Sequence, residues 1–93
     1  MITTRFLGAL RHVAGAGEII LNVKDDIPIA EMLKEITREL PALEKSLHNQ
    51  KPEELKMNAL ILVNGKEISV LDGLKTKLKD GDELVLVPVV HGG

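Results

Sequence analysis

The sequence predicts a small α+β domain in the order β-β-α-β-β-β, with five strands in one mixed sheet and one main helix on one face. Three features lead to this prediction: apolar residues that alternate with period two, one segment with helical periodicity, and an Asn64-Gly65 pair between two apolar stretches. The chain has 93 residues, 44% of them hydrophobic and 28% charged, which is typical of one folded domain.

The first two strands are predicted from alternation. In residues 2–7 every second side chain from Ile2 falls on one side, and in residues 18–24 the same holds from Ile19. Glycines loosen the chain between these segments. We therefore expect a hairpin with a long irregular connection over residues 10–16.

The main helix is predicted where apolar side chains recur at the spacing of one helix face. These residues are Ile29, Met32, Leu33, Ile36 and Leu40. Pro28 suits a first helical turn, because its missing N–H has no partner to lose there. Pro41 ends the regular pattern, and Leu43 extends the apolar face.

The second half begins with a predicted hairpin. Residues 59–63 form a continuous apolar stretch, which is consistent with an interior strand. Asn64-Gly65 follows at once and favours a type I′ turn, because both residues tolerate a positive φ. Residues 66–70 are the predicted return strand, with Ile68 and Val70 inward.

The remaining segments are two connections, a turn and a last strand. Residues 49–58 are polar and predict a surface loop, whereas residues 71–79 predict a short helical or coiled crossing. Asp80-Gly81-Asp82 is a turn sequence. Residues 83–89 then predict a strand that is apolar on both faces.

A strand that is apolar on both faces leaves one side uncovered, because a single helix covers one face of the sheet. We expect Leu84 and Leu86 to face the helix, and Val85 and Val87 to lie on the open side with Leu7. A partner surface explains this pattern, and so does incomplete coverage of a small sheet. The strand order is that of the β-grasp, or ubiquitin-like, fold.

Side chains that usually carry catalysis are scarce. The absence of cysteine excludes a thiolate nucleophile, and a single aromatic residue, Phe6, nearly excludes base stacking. His12, His48 and His91 have no metal-ligand spacing, so no metal is expected. There is no nucleophile with a base at a suitable spacing and no phosphate-binding glycine loop. We therefore expect no activity of its own and no cofactor bound by this chain.

Charge and hydropathy also restrict the partners. The net charge of −2 does not favour nucleic acid, and no apolar stretch is long enough to cross a bilayer. No signal peptide is evident, so we expect a cytoplasmic protein without a membrane partner. We divide the chain into a domain over residues 1–89 and a flexible tail over residues 90–93.

The printed sequence ends in Gly92-Gly93. By average composition a terminal glycine pair has chance odds of about one in 200. Two glycines form a thin strip of backbone that can enter a narrow channel, and they present the α-carboxylate of Gly93. Such a carboxylate must be activated before it reacts, for example by adenylation with ATP on a second protein. A frayed tail without function is the alternative.

The motifs resemble those of the MoaD and ThiS sulfur carriers from end to end. Residues 1–15 resemble the family's first strand followed by its A-x-(L/V)-R-x-x-(A/V)-G stretch, and Val63-Asn64-Gly65 matches its V-N-G hairpin. The most specific match covers residues 78–93, which resemble L-x-D-G-D-E-(V/L) followed by P-P-V-x-G-G. The similarity is greatest to MoaD, the small subunit of molybdopterin synthase.

The resemblance implies that a ubiquitin-activating-type (MoeB/ThiF-like) enzyme uses ATP to adenylate Gly93. A thiocarboxylate then forms and donates sulfur to a pterin in the active site of a MoaE-like large subunit. Gly92 and His91 would form the neck of the tail. The implied partner-binding residues are Leu7, Val85, Val87, Pro88 and Val89. Archaeal relatives suggest attachment to protein lysines as an alternative.

Two residues depart from the family pattern. Val89 replaces the usual second proline, and His91 replaces a small residue, so the choice of activating enzyme is open. Sulfur donation to tRNA or to thiamine also remains open. The last alternative is a plain interaction domain, for which removing Gly92-Gly93 would change nothing.

Overall fold

The computed structural model describes residues 1–44 and 59–89. The strands are β1 (Ile2–Phe6), β2 (Glu18–Leu21), β3 (Ile27–Pro28), β4 (Ala59–Val63), β5 (Lys66–Glu67), β6 (Lys77–Leu78) and β7 (Glu83–Pro88). The α-helices are α1 (Ala9–Ala14) and α2 (Ile29–Glu39), and 3₁₀ turns cover Pro41–Leu43, Ile68–Val70 and Gly73–Lys75. The predicted loop over residues 49–58 and the tail over residues 90–93 lie outside the described residues.

The main sheet has five strands in the order β2-β1-β7-β4-β5. β1 and β7 are parallel, and the other neighbouring pairs are antiparallel, so the predicted mixed sheet is confirmed. The last strand of the chain lies in the middle, where both its edges are paired. β3 and β6 form a separate two-stranded sheet that the sequence did not predict.

The core lies between the main sheet and α2. The helix buries Ile29, Met32, Leu33 and Ile36 as predicted, whereas Leu40 follows its last residue and is half-buried. β1 and β7 bury alternate residues, as expected from their period of two. The largest fully buried side chains are Phe6, Ile2, Ile29, Met32, Leu33, Ile36, Leu43, Ile61, Ile68, Leu78 and Leu84. The β-grasp architecture predicted from element order is confirmed.

The connection between the first two strands is a helix and not an irregular loop. α1 has six residues, of which only Leu10 is buried, and Gly15 ends it with φ +74°. One buried residue leaves no periodic apolar face to detect in the sequence. The flanking glycines, which indicated a loop, are the residues that begin and end this short helix.

The return strand is shorter than predicted. β5 ends at Glu67, whose carboxylate accepts a hydrogen bond from the N–H of Ser69 at 3.1 Å and turns the chain into a 3₁₀ segment. Ile68 is buried as expected, but the prediction that Val70 points inward is wrong, because Val70 is 73% exposed. The local side-chain hydrogen bond ends the alternation.

The start of the main helix also differs in detail. Pro28 has an extended ψ of 149° and precedes the first helical residue, Ile29. It pairs instead with Lys77 in the two-stranded sheet, and the N–H of Ile29 donates to the carbonyl of Thr76 at 2.9 Å. The segment over residues 71–79 is thus a 3₁₀ turn followed by a strand that anchors the helix.

Candidate functional site

The face of the main sheet opposite α2 carries an apolar patch. Val85 lies between Arg5 and Leu62 in register, and Val87 lies beside Leu60. The N–H of Leu7 donates to the carbonyl of Leu86 at 3.1 Å, which continues the parallel ladder and puts Leu7 beside Val87. We define the open-face patch as Leu7, Leu60, Leu62, Val85 and Val87.

Two of these side chains are exposed and the other three, Leu62, Val85 and Val87, are half-buried, in contrast to their fully buried neighbours along the strands. Leu7 is 42% exposed and Leu60 is 38% exposed, whereas Leu84 and Leu86 are fully buried on the helix side. The predicted positions of Leu7, Val85 and Val87 on the open face therefore agree with the structure. Their role in binding a partner stays a prediction.

Leu60 and Leu62 were missed as candidates. The apolar stretch over residues 59–63 indicated only an interior strand, although it has the same two-sided character as β7. In the structure Ala59, Ile61 and Val63 are buried, which puts Leu60 and Leu62 on the open face. The sequence signal for Leu60 and Leu62 is the same as for β7: a strand that is apolar on both faces leaves one face uncovered by a single helix.

The open-face patch is nearest to the end of the sheet where β7 leads into the tail. We call this the tail end. Because β1 and β7 are parallel, Leu7 and Val87 both lie there, and Ala59 opposite Pro88 marks the start of β4. Val89 follows and is 38% exposed. His91, Gly92 and Gly93 lie outside the described residues.

Gly8 fixes the path of the chain at the tail end. It has φ +54°, and a Cβ atom at this position would lie 2.9 Å from Cγ of Pro88. Glycine is therefore required twice, by its backbone conformation and by the close approach of the proline ring. Register puts Pro88 on the side of the sheet opposite Val87, so it contacts Gly8 while Val87 stays on the open face. Nothing in the sequence distinguished Gly8 from other loop glycines.

The opposite end of the sheet, which we call the turn end, is held by hydrogen bonds. Asn64 and Gly65 have φ values of +49° and +87°, as a type I′ turn requires. The carboxylate of Asp82 accepts hydrogen bonds from Nδ2 of Asn64 at 2.9 Å and from the N–H of Lys79 at 2.8 Å. Oδ1 of Asn64 accepts one from the N–H of Glu83 at 2.9 Å. Hydrogen bonds therefore connect the V-N-G and D-G-D motifs directly.

Ion pairs add to the turn end. Nζ of Lys79 donates to the carboxylate of Asp26, and this hydrogen bond lowers the pKa of Asp26 and raises the pKa of Lys79. Both side chains are more than half exposed, so solvent and salt screen the pair. Asp25 accepts a hydrogen bond from the N–H of Asp80 at 3.2 Å, and the amino group of Met1 contacts the Asp80 carboxylate.

Other possible sites are less developed. Within residues 1–44 and 59–89 no three His, Cys, Asp or Glu side chains come together as metal ligands. In the same ranges no helix has the length and apolarity to cross a membrane. A shallow groove of about 890 Å³ beside α1 is lined by Gly8, Ala9, Arg11, His12, Gly15, Ala16 and Gly17. Its lining contains no carboxylate that could act as a base for the histidine.

Comparison with known proteins gives consistent matches. The sequence profile of the ThiS family matches residues 4–93. Small archaeal modifier protein 3 of Haloferax volcanii is 35% identical over 89 residues, which cover 96% of this chain and 95% of the relative. The solution structure of small archaeal modifier protein 1 from Methanosarcina acetivorans has a TM-score of 0.81 at 32% identity, covering 99% and 95% of the two chains.

A third relative, from Archaeoglobus fulgidus, is described as a candidate sulfur carrier and is 41% identical over 51 residues, which cover 55% of this chain and 56% of that protein. Further solved structures at 20–24% identity have TM-scores of 0.67–0.80 and show the fold alone. The two full-length matches described above are to small modifier proteins and not to catalysts. The chain belongs to the ThiS/MoaD family of ubiquitin-like sulfur carriers and modifiers.

Proposed function

We propose that this chain is a sulfur carrier whose Gly93 carboxylate is adenylated by a separate activating enzyme and then converted to a thiocarboxylate. The observation that carries the proposal is the open-face patch beside the tail end, in a chain whose family match extends to Gly93. The patch supplies a binding surface next to the reactive terminus. The relative from Archaeoglobus fulgidus supports the sulfur-carrier role.

The chemistry follows from the carboxylate itself. An oxygen of the Gly93 carboxylate attacks the α-phosphate of ATP on the activating enzyme, and pyrophosphate leaves. The terminal sulfur of a persulfide on a partner protein then attacks the carbonyl carbon of the acyl-adenylate, and AMP leaves with the original oxygen, which gives an acyl disulfide. A second thiol of that partner cleaves the acyl disulfide, so the Gly93 thiocarboxylate leaves and a disulfide remains on the partner. This chain has no cysteine, so the sulfur must come from outside and must reside on the carboxyl carbon.

The open-face patch has a positioning role in this proposal. Apolar contact with Leu7, Val87 and their neighbours holds the domain while the tail enters the active site of the partner. Burying a Leu or Val side chain contributes about 1.5–3 kcal/mol, so a few such side chains suffice for a transient complex. Arg5, which pairs with Glu83 at 3.1 Å, gives the patch a charged rim.

Two partners would use the same surface in turn. The first is an activating enzyme of the MoeB/ThiF type, which consumes ATP; the second is the acceptor of the sulfur. On the strength of the MoaD-like ending, we propose a pterin precursor in a MoaE-like large subunit as that acceptor, with both steps in the cytoplasm. Sulfur donation to tRNA or thiamine would use the same thiocarboxylate.

Protein modification is the second candidate function. It is favoured by the 35% identity to a small archaeal modifier protein over almost the whole of both chains. The same acyl-adenylate would lead to an isopeptide bond between Gly93 and a lysine of a target protein. The two functions share their activation step and do not exclude each other.

The proposal is tested by intact mass analysis of the protein from its native cells. We expect a fraction in which one oxygen of Gly93 is replaced by sulfur, and this fraction should be lost when Gly92-Gly93 is deleted. In a reconstituted adenylation assay, Val87→Asp should lower activation at least tenfold, because a carboxylate is desolvated at the interface. Val70→Asp is the matched control, since Val70 is exposed but lies off the patch.

Two results would contradict the proposal. One is the absence of the sulfur-substituted mass even with the activating enzyme present; the other is equal activation of the Val87→Asp and Val70→Asp proteins. Conjugates are sought separately, as lysines that carry the C-terminal segment of this chain. No Lys or Arg lies between Lys79 and Gly93, so trypsin leaves a long remnant and another protease is needed.

A further inference from the structure

The two edges of the main sheet differ in how they are protected. β5, at one edge, has only the charged residues Lys66 and Glu67 before the chain turns away. β2, at the other edge, runs over Glu18–Leu21, and alternate exposure continues as far as Lys24. Proline and basic residues commonly prevent an edge strand from pairing with another chain. Residues 18–23 contain neither.

The register shows which backbone groups of β2 have no partner among residues 1–44 and 59–89. The N–H of Phe6 donates to the carbonyl of Gly17 at 2.9 Å, so this opposed pair is a hydrogen-bonded one. In an antiparallel ladder such pairs alternate, so Ile19 and Leu21 also direct their backbone groups toward β1. The backbone groups of the residues between them point away from the sheet, at Glu18, Ile20 and Asn22.

The side chains along this edge are arranged in a self-complementary way. Ile20 is 59% exposed on the open side, and Ile19, Leu21 and Val23 contact the rim of the core without being fully buried. A negative charge at Glu18 begins the segment and a positive charge at Lys24 ends it. Reversing the direction of a second copy therefore sets opposite charges against each other.

We infer that β2 pairs antiparallel with β2 of a second copy of this chain, about a two-fold axis at Leu21. The backbone groups that point away from β1 belong to the even-numbered residues of this segment, such as Glu18 and Ile20. The two copies can form hydrogen bonds only in a register that places these even-numbered residues opposite one another. An axis at Leu21 satisfies this condition and places Glu18 opposite Lys24 at both ends. An axis at Ile20 also joins them but places Glu18 opposite Asn22, which leaves both charges unmatched.

The pairing extends the sheet across two molecules and closes the unprotected edge of each. It brings the two Leu21 side chains together in a non-hydrogen-bonded pair, where opposed side chains are closest. In the single chain, Nζ of Lys24 lies 3.6 Å from a carboxylate oxygen of Glu31, and both side chains are exposed. Lys24 can therefore exchange this contact for one with Glu18 of the second copy. The interface is a single short ladder, so association is weak and depends on concentration.

This association is separate from the proposed carrier function. β1 lies between β2 and the β7 residues of the open-face patch, so each copy keeps its patch and its tail end accessible. If sulfur transfer is not observed, the proposed strand pairing still stands. If the chain is strictly monomeric, the proposed sulfur transfer still stands.

The first test is sedimentation equilibrium of the full chain over concentrations on the order of 10 μM to 1 mM, the range in which weak complexes form. We expect the average mass to rise toward that of a dimer. Glu18→Lys and Lys24→Glu should each weaken the association roughly tenfold, because both cross-strand charge pairs become repulsive. The double exchange E18K/K24E should restore it. Lys66→Glu, at the opposite edge, is the charge-matched control and should have no effect.

The second test is amide hydrogen exchange at low and high concentration. The amide of Ile20 should exchange more slowly in the concentrated sample, whereas the amide of Ile19, already directed toward β1, should not change. A monomer at every concentration overturns the inference. So does a dimer in which the charge exchange has no effect or in which the amide of Ile20 remains unprotected.

Discussion

The turn end and the tail end of the sheet are stabilised by different interactions. At the turn end, Asp82 and Asn64 connect two loops through exposed hydrogen bonds to side chains and backbone. At the tail end, Gly8 contacts Pro88 so closely that there is no room for a Cβ atom, and Leu7 and Leu60 are left exposed. At the turn end the polar groups form hydrogen bonds with one another. At the tail end apolar side chains stay in contact with solvent.

The difference separates the motifs that maintain the fold from the residues that are available to a partner. V-N-G and D-G-D carry much of the family resemblance, yet they lie at the end of the sheet away from the tail. Their side chains are occupied with each other. The residues beside the tail are less distinctive in sequence, because any apolar side chain of suitable size can supply contact area.

The largest expected effect is at the tail end, with Gly8→Ala. The substitution forces an alanine into a positive φ and places its Cβ 2.9 Å from Cγ of Pro88. We expect a loss of about 3 kcal/mol in the free energy of unfolding, measured by urea denaturation. Gly15→Ala is the matched control, since Gly15 has φ +74° but nothing within 4 Å of the added atom. It should cost only about 1 kcal/mol.

A combined substitution sharpens this result. Pro88→Ala removes the ring that an alanine at residue 8 would meet, so G8A/P88A should lose less stability than the sum of the two single changes. Equal losses for Gly8→Ala and Gly15→Ala would show that the contact with Pro88 contributes nothing.

The next effect is at the turn end, with Asp82→Ala. This change removes the acceptor for Nδ2 of Asn64 and for the N–H of Lys79. We expect a loss of about 1–2 kcal/mol in the free energy of unfolding, with adenylation of the folded protein unchanged. Asp72→Ala is the control for the lost charge, because Asp72 makes no side-chain capping bond. A fall in adenylation that exceeds the loss of folded protein would contradict the separation of the two ends.

A stabilising change is expected between the two ends, with Thr4→Val in β1. The hydroxyl of Thr4 is fully buried and has no hydrogen-bond partner within the described parts of the chain. Replacing it with a methyl group should raise the free energy of unfolding by about 1 kcal/mol. Thr37→Val is the control, since the hydroxyl of Thr37 donates to the carbonyl of Lys34 at 3.0 Å. It should bring no gain, and a gain of equal size would refute the explanation.

The smallest effect is the pH dependence of the Asp26–Lys79 pair. Lys79 lowers the pKa of Asp26 below its usual 3.8. The stability from this carboxylate is therefore present above pH 3.8 and is lost as the pH falls through the lowered pKa. The difference in unfolding free energy between the native chain and Asp26→Asn should therefore decrease as the pH is lowered below 3.8. Asparagine is chosen because it also tolerates the φ of +62° at this position. A difference that stays constant down to pH 2 would exclude this contribution.

Much of the fold was predictable because its signals are local. The alternation from Ile2 and the helical spacing from Ile29 depend only on neighbouring residues, and both are confirmed. The predictions failed where a few specific contacts decide the structure. Val70 points outward because Glu67 bonds to Ser69, and Pro28 joins a strand because Lys77 lies opposite. Neither contact leaves a periodic signal.

The sequence by itself determined the order of the main-sheet strands and of the main helix, the turn at Asn64-Gly65 and the absence of a thiol, because these follow from residue type and spacing. Only the tertiary structure decided that β7 lies between β1 and β4, which brings Leu7 and Leu60 to either side of Val87. Residues far apart in the chain meet there through strand pairing. The open-face patch and the contact between Gly8 and Pro88 are therefore consequences of register, which no single segment specifies.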